Sequence, residues 1–178
     1  SEALLVEPER ELLVAFENRH SLWRYRPGTG GGRQVLDLSG RGWKANAGVE
    51  AMVRDGFGLL LFTEGGRSLL RIGDAIEELP LLGTPGQIAD AARLPDGRIL
   101  LLVRRIGLAG VTNLVAELGV ERGGYRVRPL ARLPLGWRDN AEALAAEALP
   151  SGGTRLWLMT DNDFRPRKAT LLVALDLP

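Results

Sequence analysis

Ten side chains in this sequence have the chemistry to hold a cation or an anionic ligand. Glu50, Glu64, Glu142, Asp161 and Asn162 offer carboxylate or amide oxygens, and Asn46 and Asn140 precede Glu50 and Glu142 by four and two residues. Oxygen donors converging on one place suit a hard cation such as calcium. Arg104 and Arg105 are adjacent cations suited to an anionic oxygen. His20, in the loop 17–23, is the sole histidine. With one His and no Cys, the chain excludes an ordinary zinc site, a thiolate nucleophile and disulfides. The serines at 1, 21, 39, 68 and 151 lie in no Gly-x-Ser-x-Gly elbow, which argues against a serine triad. Residues 28–33, GTGGGR, lack the Lys-Ser/Thr of a phosphate loop and a following helix, so they read as a turn.

A recurring unit has to position these groups. Four stretches, starting at Glu2, Glu50, Gln87 and Glu142, share one plan. A polar residue leads into a short apolar run, a turn follows, and a more apolar run ends in polar residues. The turns are 7–10, 54–56, 95–97 and 150–153, and Pro-Asp-Gly or Gly-Gly between such runs signals a hairpin. Starts about 40 to 50 residues apart are the spacing of propeller blades. Residues 138–164 conflict locally: Asn140 and the Ala, Glu and Leu after it suit a capped helix, while 154–160 suits a strand. The repeat decides for a strand over 141–148, because the other copies have no helical character there.

Further strands at 21–27, 33–39, 67–73, around 76–79, 111–119, 125–133 and 168–177 complete the expectation. The fold class is all-β, a β-propeller of four-stranded antiparallel blades at about 1–40, 46–80, 86–134 and 140–178 in a single domain. About fifteen strands fall short of four full blades, so the chain reads as the C-terminal part of a larger propeller, completed by a missing N-terminal segment or another chain.

In an antiparallel blade the start of the first strand and the end of the second share one face. Glu142 should therefore meet Asp161, Glu50 meet Glu64, and Gln87 meet Arg104, around a common mouth that also holds Asp163. Trp43 and Trp137 precede the two asparagines and would wall it. The plainer reading is that these acids cap strand ends.

The blocks NAGVEAM with LLLFTEG, LPDGRILLLVRR, and DNAEALA with LWLMTDNDFRPRKATLLVALDL resemble the bacterial phytase-like propellers described as having esterase-like activity. The resemblance spans 46–178 and implies a longer, periplasmic or secreted propeller and hydrolysis of a phosphoester or ester. This chain departs from the pattern at Val103, where a Glu is expected before two arginines, and at Ala141, where a bulky residue is usual. On that footing Glu50, Glu142 and Asp161 are the catalytic candidates. Glu50, Glu64, Glu142, Asp161 and Asn162 would hold calcium or another divalent cation that activates water. Arg104, Arg105, Asn46, Asn140 and His20 would bind a small-molecule substrate. Glu50, Asn140 and Asp161 also resemble the cation site of gluconolactonase-type propellers, which implies a lactone or ester. The alternative is a non-catalytic propeller that binds a ligand or protein partner on the same face.

Composition sets the outer limits. With 23 basic and 22 acidic residues the net charge is +1, which provides no field for nucleic acid or an anionic membrane. No apolar stretch approaches the roughly 18 residues of a membrane helix.

Overall fold

The computed structural model describes residues 3–45, 47–166 and 168–177. The first sheet contains β1 (Ala3–Val6), β2 (Leu12–Phe16), β3 (Ser21–Tyr25) and β4 (Gly32–Asp37) in chain order. The next eight strands are β5 (Val49–Arg54), β6 (Leu59–Thr63), β7 (Ser68–Ile72), β8 (Ile76–Leu82), β9 (Gln87–Arg93), β10 (Ile99–Gly107), β11 (Gly110–Glu121) and β12 (Gly124–Arg132). They form one sheet ordered β5-β6-β7-β8-β12-β11-β10-β9. The last sheet contains β13 (Asn140–Ala148), β14 (Thr154–Asp161) and β15 (Leu172–Leu177). Among the described residues no helix is long and apolar enough to cross a membrane.

Each repeated segment is an antiparallel hairpin: β1 with β2, β5 with β6, β9 with β10, and β13 with β14. Local turn chemistry fixes them. Asp55 Oδ1 accepts the backbone N–H of Phe57 and Gly58, and Asp96 Oδ1 accepts that of Arg98. The conflicted stretch 138–164 is a hairpin too, with Asn140 opposite Asp161 and Ala148 opposite Thr154. Ala141 and Leu144 of β13 are buried against the neighbouring sheet, and that burial outweighs the helix propensity of the run.

The chain is all-β, but it does not form the expected propeller of separate four-stranded blades. β8 runs for seven residues, and its Leu81 and Leu82 pair in parallel with Tyr125 and Arg126 of β12. This seam merges the second and third units into one eight-stranded sheet. Its end strands β5 and β9 lie against each other, so the sheet curls into a nearly closed barrel. Sheets of four, eight and three strands replace the expected repeat. No short-range signal in the sequence marks a seam that rests on two residue pairs.

Two contacts lock the seam. Tyr125 is buried and its hydroxyl donates to Asp55 Oδ2 in the β5–β6 turn. Burial, then the Asp55 charge, pushes the Tyr125 phenol up to about 12. Beside it the backbones nearly touch: a Cβ on Gly124 would lie 2.6 Å from the Pro80 carbonyl oxygen.

The barrel interior holds Leu60, Phe62, Leu69, Leu101, Val103 and Ala116 among others. The first sheet covers the outside of β5–β7 through Leu13, Ala15 and Leu22 packed on Met52, Leu61 and Leu70. The last sheet covers the outside of β9–β11, with Leu144, Leu156 and Leu158 on Ala92, Leu100 and Leu102. Ion pairs staple the turn end, where Glu7 pairs with Arg24 and with Arg54. Asp90 of β9 ties the barrel to the last sheet: its Oδ2 accepts Leu144 N at 2.7 Å and its Oδ1 accepts Ala91 N at 2.8 Å. Burial raises its carboxyl to about 6 despite these bonds.

Gly124→Ala should lower stability by about 1–3 kcal/mol in urea denaturation through overpacking at the seam. Gly56→Ala, whose Cβ meets nothing within 4 Å, should cost less than about 0.5 kcal/mol. Asp90 has the opposite sign to a salt-bridged carboxylate. Its folded value lies above the unfolded one of about 3.9, so its contribution is complete below about pH 4 and is lost as pH rises through about 6. Wild type minus Asp90→Asn stability should therefore fall by on the order of 2–3 kcal/mol between pH 4 and 7. A pH-independent difference between the two would remove Asp90 as the linked group.

Candidate functional site

The polar rim is built on a repeated irregularity of the ladder. In β5 the register passes from Val49↔Thr63 to Ala51↔Phe62, which leaves Glu50 as an extra residue. In β13 it passes from Ala141↔Thr160 to Ala143↔Met159, and Glu142 is extra. Ala89 holds the equivalent place in β9. A bulge re-aims the side chain it carries, so the two glutamates leave the ladder at matching points. The Glu-Ala pairs at 50–51 and 142–143 were the sequence trace of these bulges.

Glu50 and Glu64 line one small cavity of about 40 Å³ with Thr63, Gly65, Gln87, Ile88 and Arg104. Glu50 is itself partnered. Arg104, opposite Gln87 in the ladder, reaches from this cavity to the last sheet. Its Nη1 donates to Asn140 Oδ1 at 2.8 Å and to Glu142 Oε1 at 2.5 Å. Asn140 Nδ2 in turn donates to Glu142 Oε1 at 2.7 Å and Asp163 Oδ1 at 3.3 Å. Lys168 Nζ closes the chain of contacts on Asp163 Oδ2 at 2.7 Å. Lys168, and then Asn140, hold the Asp163 carboxyl below the usual carboxylate range against the opposing effect of burial. The Asp163–Lys168 pair closes a loop after β14, and the sequence reading missed it.

Other expected ligands are otherwise engaged. Asp161 Oδ1 accepts Asp163 N at 3.0 Å, and Asn162 Oδ1 accepts Phe164 N at 3.0 Å. Both serve their own loop as turn formers. His20 is buried edge-on against Trp43 at 5.6 Å, with Nδ1 unpartnered, and does not line the cavity of Glu50 and Glu64. Trp43 packs into the core under the first sheet, and Trp137 is exposed beneath the Arg138 guanidinium at 4.3 Å. Asn46 lies outside the described residues.

Among the described residues, no three His, Cys, Asp or Glu side chains are grouped so as to hold a metal ion. The residues expected to bind calcium do not fit it: Glu142 is taken by a guanidinium and Asp161 by backbone. The expected metal-assisted hydrolysis of a phosphoester, ester or lactone falls with that centre. The channel mouth that either propeller reading required falls with the architecture.

Beside the small cavity is a larger groove of about 490 Å³, lined by Gly65, Gly66, Arg67, Thr84, Pro85, Gly86, Gln87, Arg104, Arg105 and Ile106. Arg67 and Arg105 are exposed, and neither has an ion pair among the described residues. The Thr84 hydroxyl is buried with no hydrogen-bond partner. Arg105 stood out in the sequence; Arg67 and Thr84 did not, because no motif surrounds them.

No protein family matches this chain, and no curated protein is found similar to it. The resemblance to phytase-like propellers is therefore corrected twice, by the absence of a family match and by the merged eight-stranded sheet.

Lys168→Met should let the Asp163 carboxyl rise towards the ordinary value of about 3.9, read by carboxyl-carbon NMR titration. An unchanged Asp163 titration would mean that Lys168 does not set it.

Proposed function

We propose that this protein is a binding protein for a small anionic ligand, a carboxylate or phosphate compound, taken into the groove at Arg67 and Arg105. The observation that carries the reading is that two exposed guanidiniums line one groove with no carboxylate paired to either among the described residues. Guanidinium forks match planar carboxylate and phosphate oxygens, and such charge-assisted bonds are the stronger class. The Thr84 hydroxyl is buried beneath this lining and has no hydrogen-bond partner among the described residues. The volume suits a small molecule. Arg104, committed to Glu142 and Asn140, forms the wall and holds the groove's shape.

Citrate and inorganic phosphate are the probes, followed by calorimetry and amide-shift mapping. Arg67→Ala and Arg105→Ala should each weaken binding about tenfold, equivalent to about 1.4 kcal/mol, and binding should fall as salt is raised. Arg122→Ala, in the exposed β11–β12 turn, should leave it unchanged. Equal loss in all three variants, or no binding of either anion at millimolar concentration, refutes the assignment.

A further inference from the structure

The repeat gives every sheet two distinct apolar faces, and the packing shows which face meets which neighbour. In the second unit Met52, Leu61 and Leu70 turn back onto the first sheet, while Ala51, Phe62 and Leu69 turn forward onto the third unit. In the third, Ala91 and Leu101 turn back, while Ala92 and Leu100 turn forward onto the last sheet. In the last sheet Leu144 and Leu158 turn back. Its forward face carries Ala143, Ala145, Trp157, Met159, Leu172 and Ala174, and no described residue covers it. In the first sheet Ala3, Ala15 and Leu22 turn forward. On its backward face Leu4 and Val6 are exposed, with Trp23 partly exposed in the same row as Leu4 and with Val14 buried between them.

The two open faces are therefore the complementary halves of a contact the molecule already makes three times. They are also strongly apolar: Leu4 is 54 % exposed, Val6 63 %, Met159 48 % and Leu172 69 %. Both border one groove of about 740 Å³, lined by Leu4 and Val6 on one side and by Trp157, Met159 and Leu172 on the other. We infer that this groove takes a second copy of the chain, paired head to tail about a twofold axis. The forward face of each last sheet packs on the backward face of the partner's first sheet. Two heterologous contacts related by the twofold close on themselves, so assembly stops at a dimer. The occupant is another copy because the contact continues an interface already present between consecutive units of this chain.

Sedimentation equilibrium and light scattering test it. The native chain should approach twice its 19.3 kDa with rising concentration, with no larger species. Leu4→Glu and Leu172→Lys, at exposed positions that leave the fold intact by circular dichroism and urea melts, should each shift the midpoint at least tenfold towards monomer. Mixing the two should restore dimer, because one of the two contacts is then wholly native and the other pairs Glu with Lys. A native chain that stays monomeric up to millimolar concentration overturns the inference. So does a dimer that survives both variants, or two variants that fail to rescue each other.

Discussion

A sheet that is apolar on both faces has to be covered twice, and that requirement organises the whole chain. An antiparallel sheet with one wet face alternates apolar and polar residues. Here β6 buries Leu59, Leu60, Leu61 and Phe62 in succession, odd members against the first sheet and even members in the barrel. β10 likewise buries Leu100 and Leu102 against the last sheet and Leu101 and Val103 in the barrel. Each unit can satisfy such strands only by lying between two others. The parallel seam of β8 with β12 reinforces one of these contacts until the two middle units become a single curled sheet.

The rim follows from the same stacking. Bulges at Glu50 and Glu142 turn acidic side chains out of the ladder at matching heights, and stacking sets neighbouring units close enough for a long side chain to cross between them. Arg104 does so, from β10 to Glu142 of β13. Glu142 is partly exposed, so the pair contributes at most about 1 kcal/mol. Its consequence is positional: it holds Arg104 in place as one wall of the groove while the oxygens a cation would need are occupied.

Hairpins were legible in the sequence because their signals are local. Asp55, Asp96 and Gly152–Gly153 each act within a few residues, and the recurrence of the unit settled the stretch 138–164 against its helix propensity. The seam was not legible, since nothing near residues 80–82 announces a partner at 125–126. The likeness to a known propeller family has a physical source in the same burial. A run such as LLLFTEG or LWLMTDNDF is what a strand buried on both faces, followed by a polar turn, must look like in any stack of this kind. Spacing does not distinguish a metal ligand from a turn former. Asp161 and Asn162 are spent on the backbone of their own loop, which Asp-Asn-Asp does without any cation.

Near-neutrality of the whole chain hides an uneven distribution of that charge. At the turn end the acids are matched by arginines: Glu7 meets Arg24 and Arg54, and Glu11 meets Arg24 and Arg26. At the rim the balance differs, because several acids are consumed before a ligand could reach them. Glu142 is held by Arg104 and Asn140, Asp163 by Lys168 and Asn140, and Asp161 by backbone. Arg67 and Arg105 are left with no ion pair among the described residues, on a groove whose buried Thr84 hydroxyl is also unpartnered. Two cations on one concave surface attract an anion more strongly than the same charges set far apart. The acidic look of the rim in the sequence thus overstates the carboxylate left for a cation, because Glu142, Asp161 and Asp163 are already engaged within the chain.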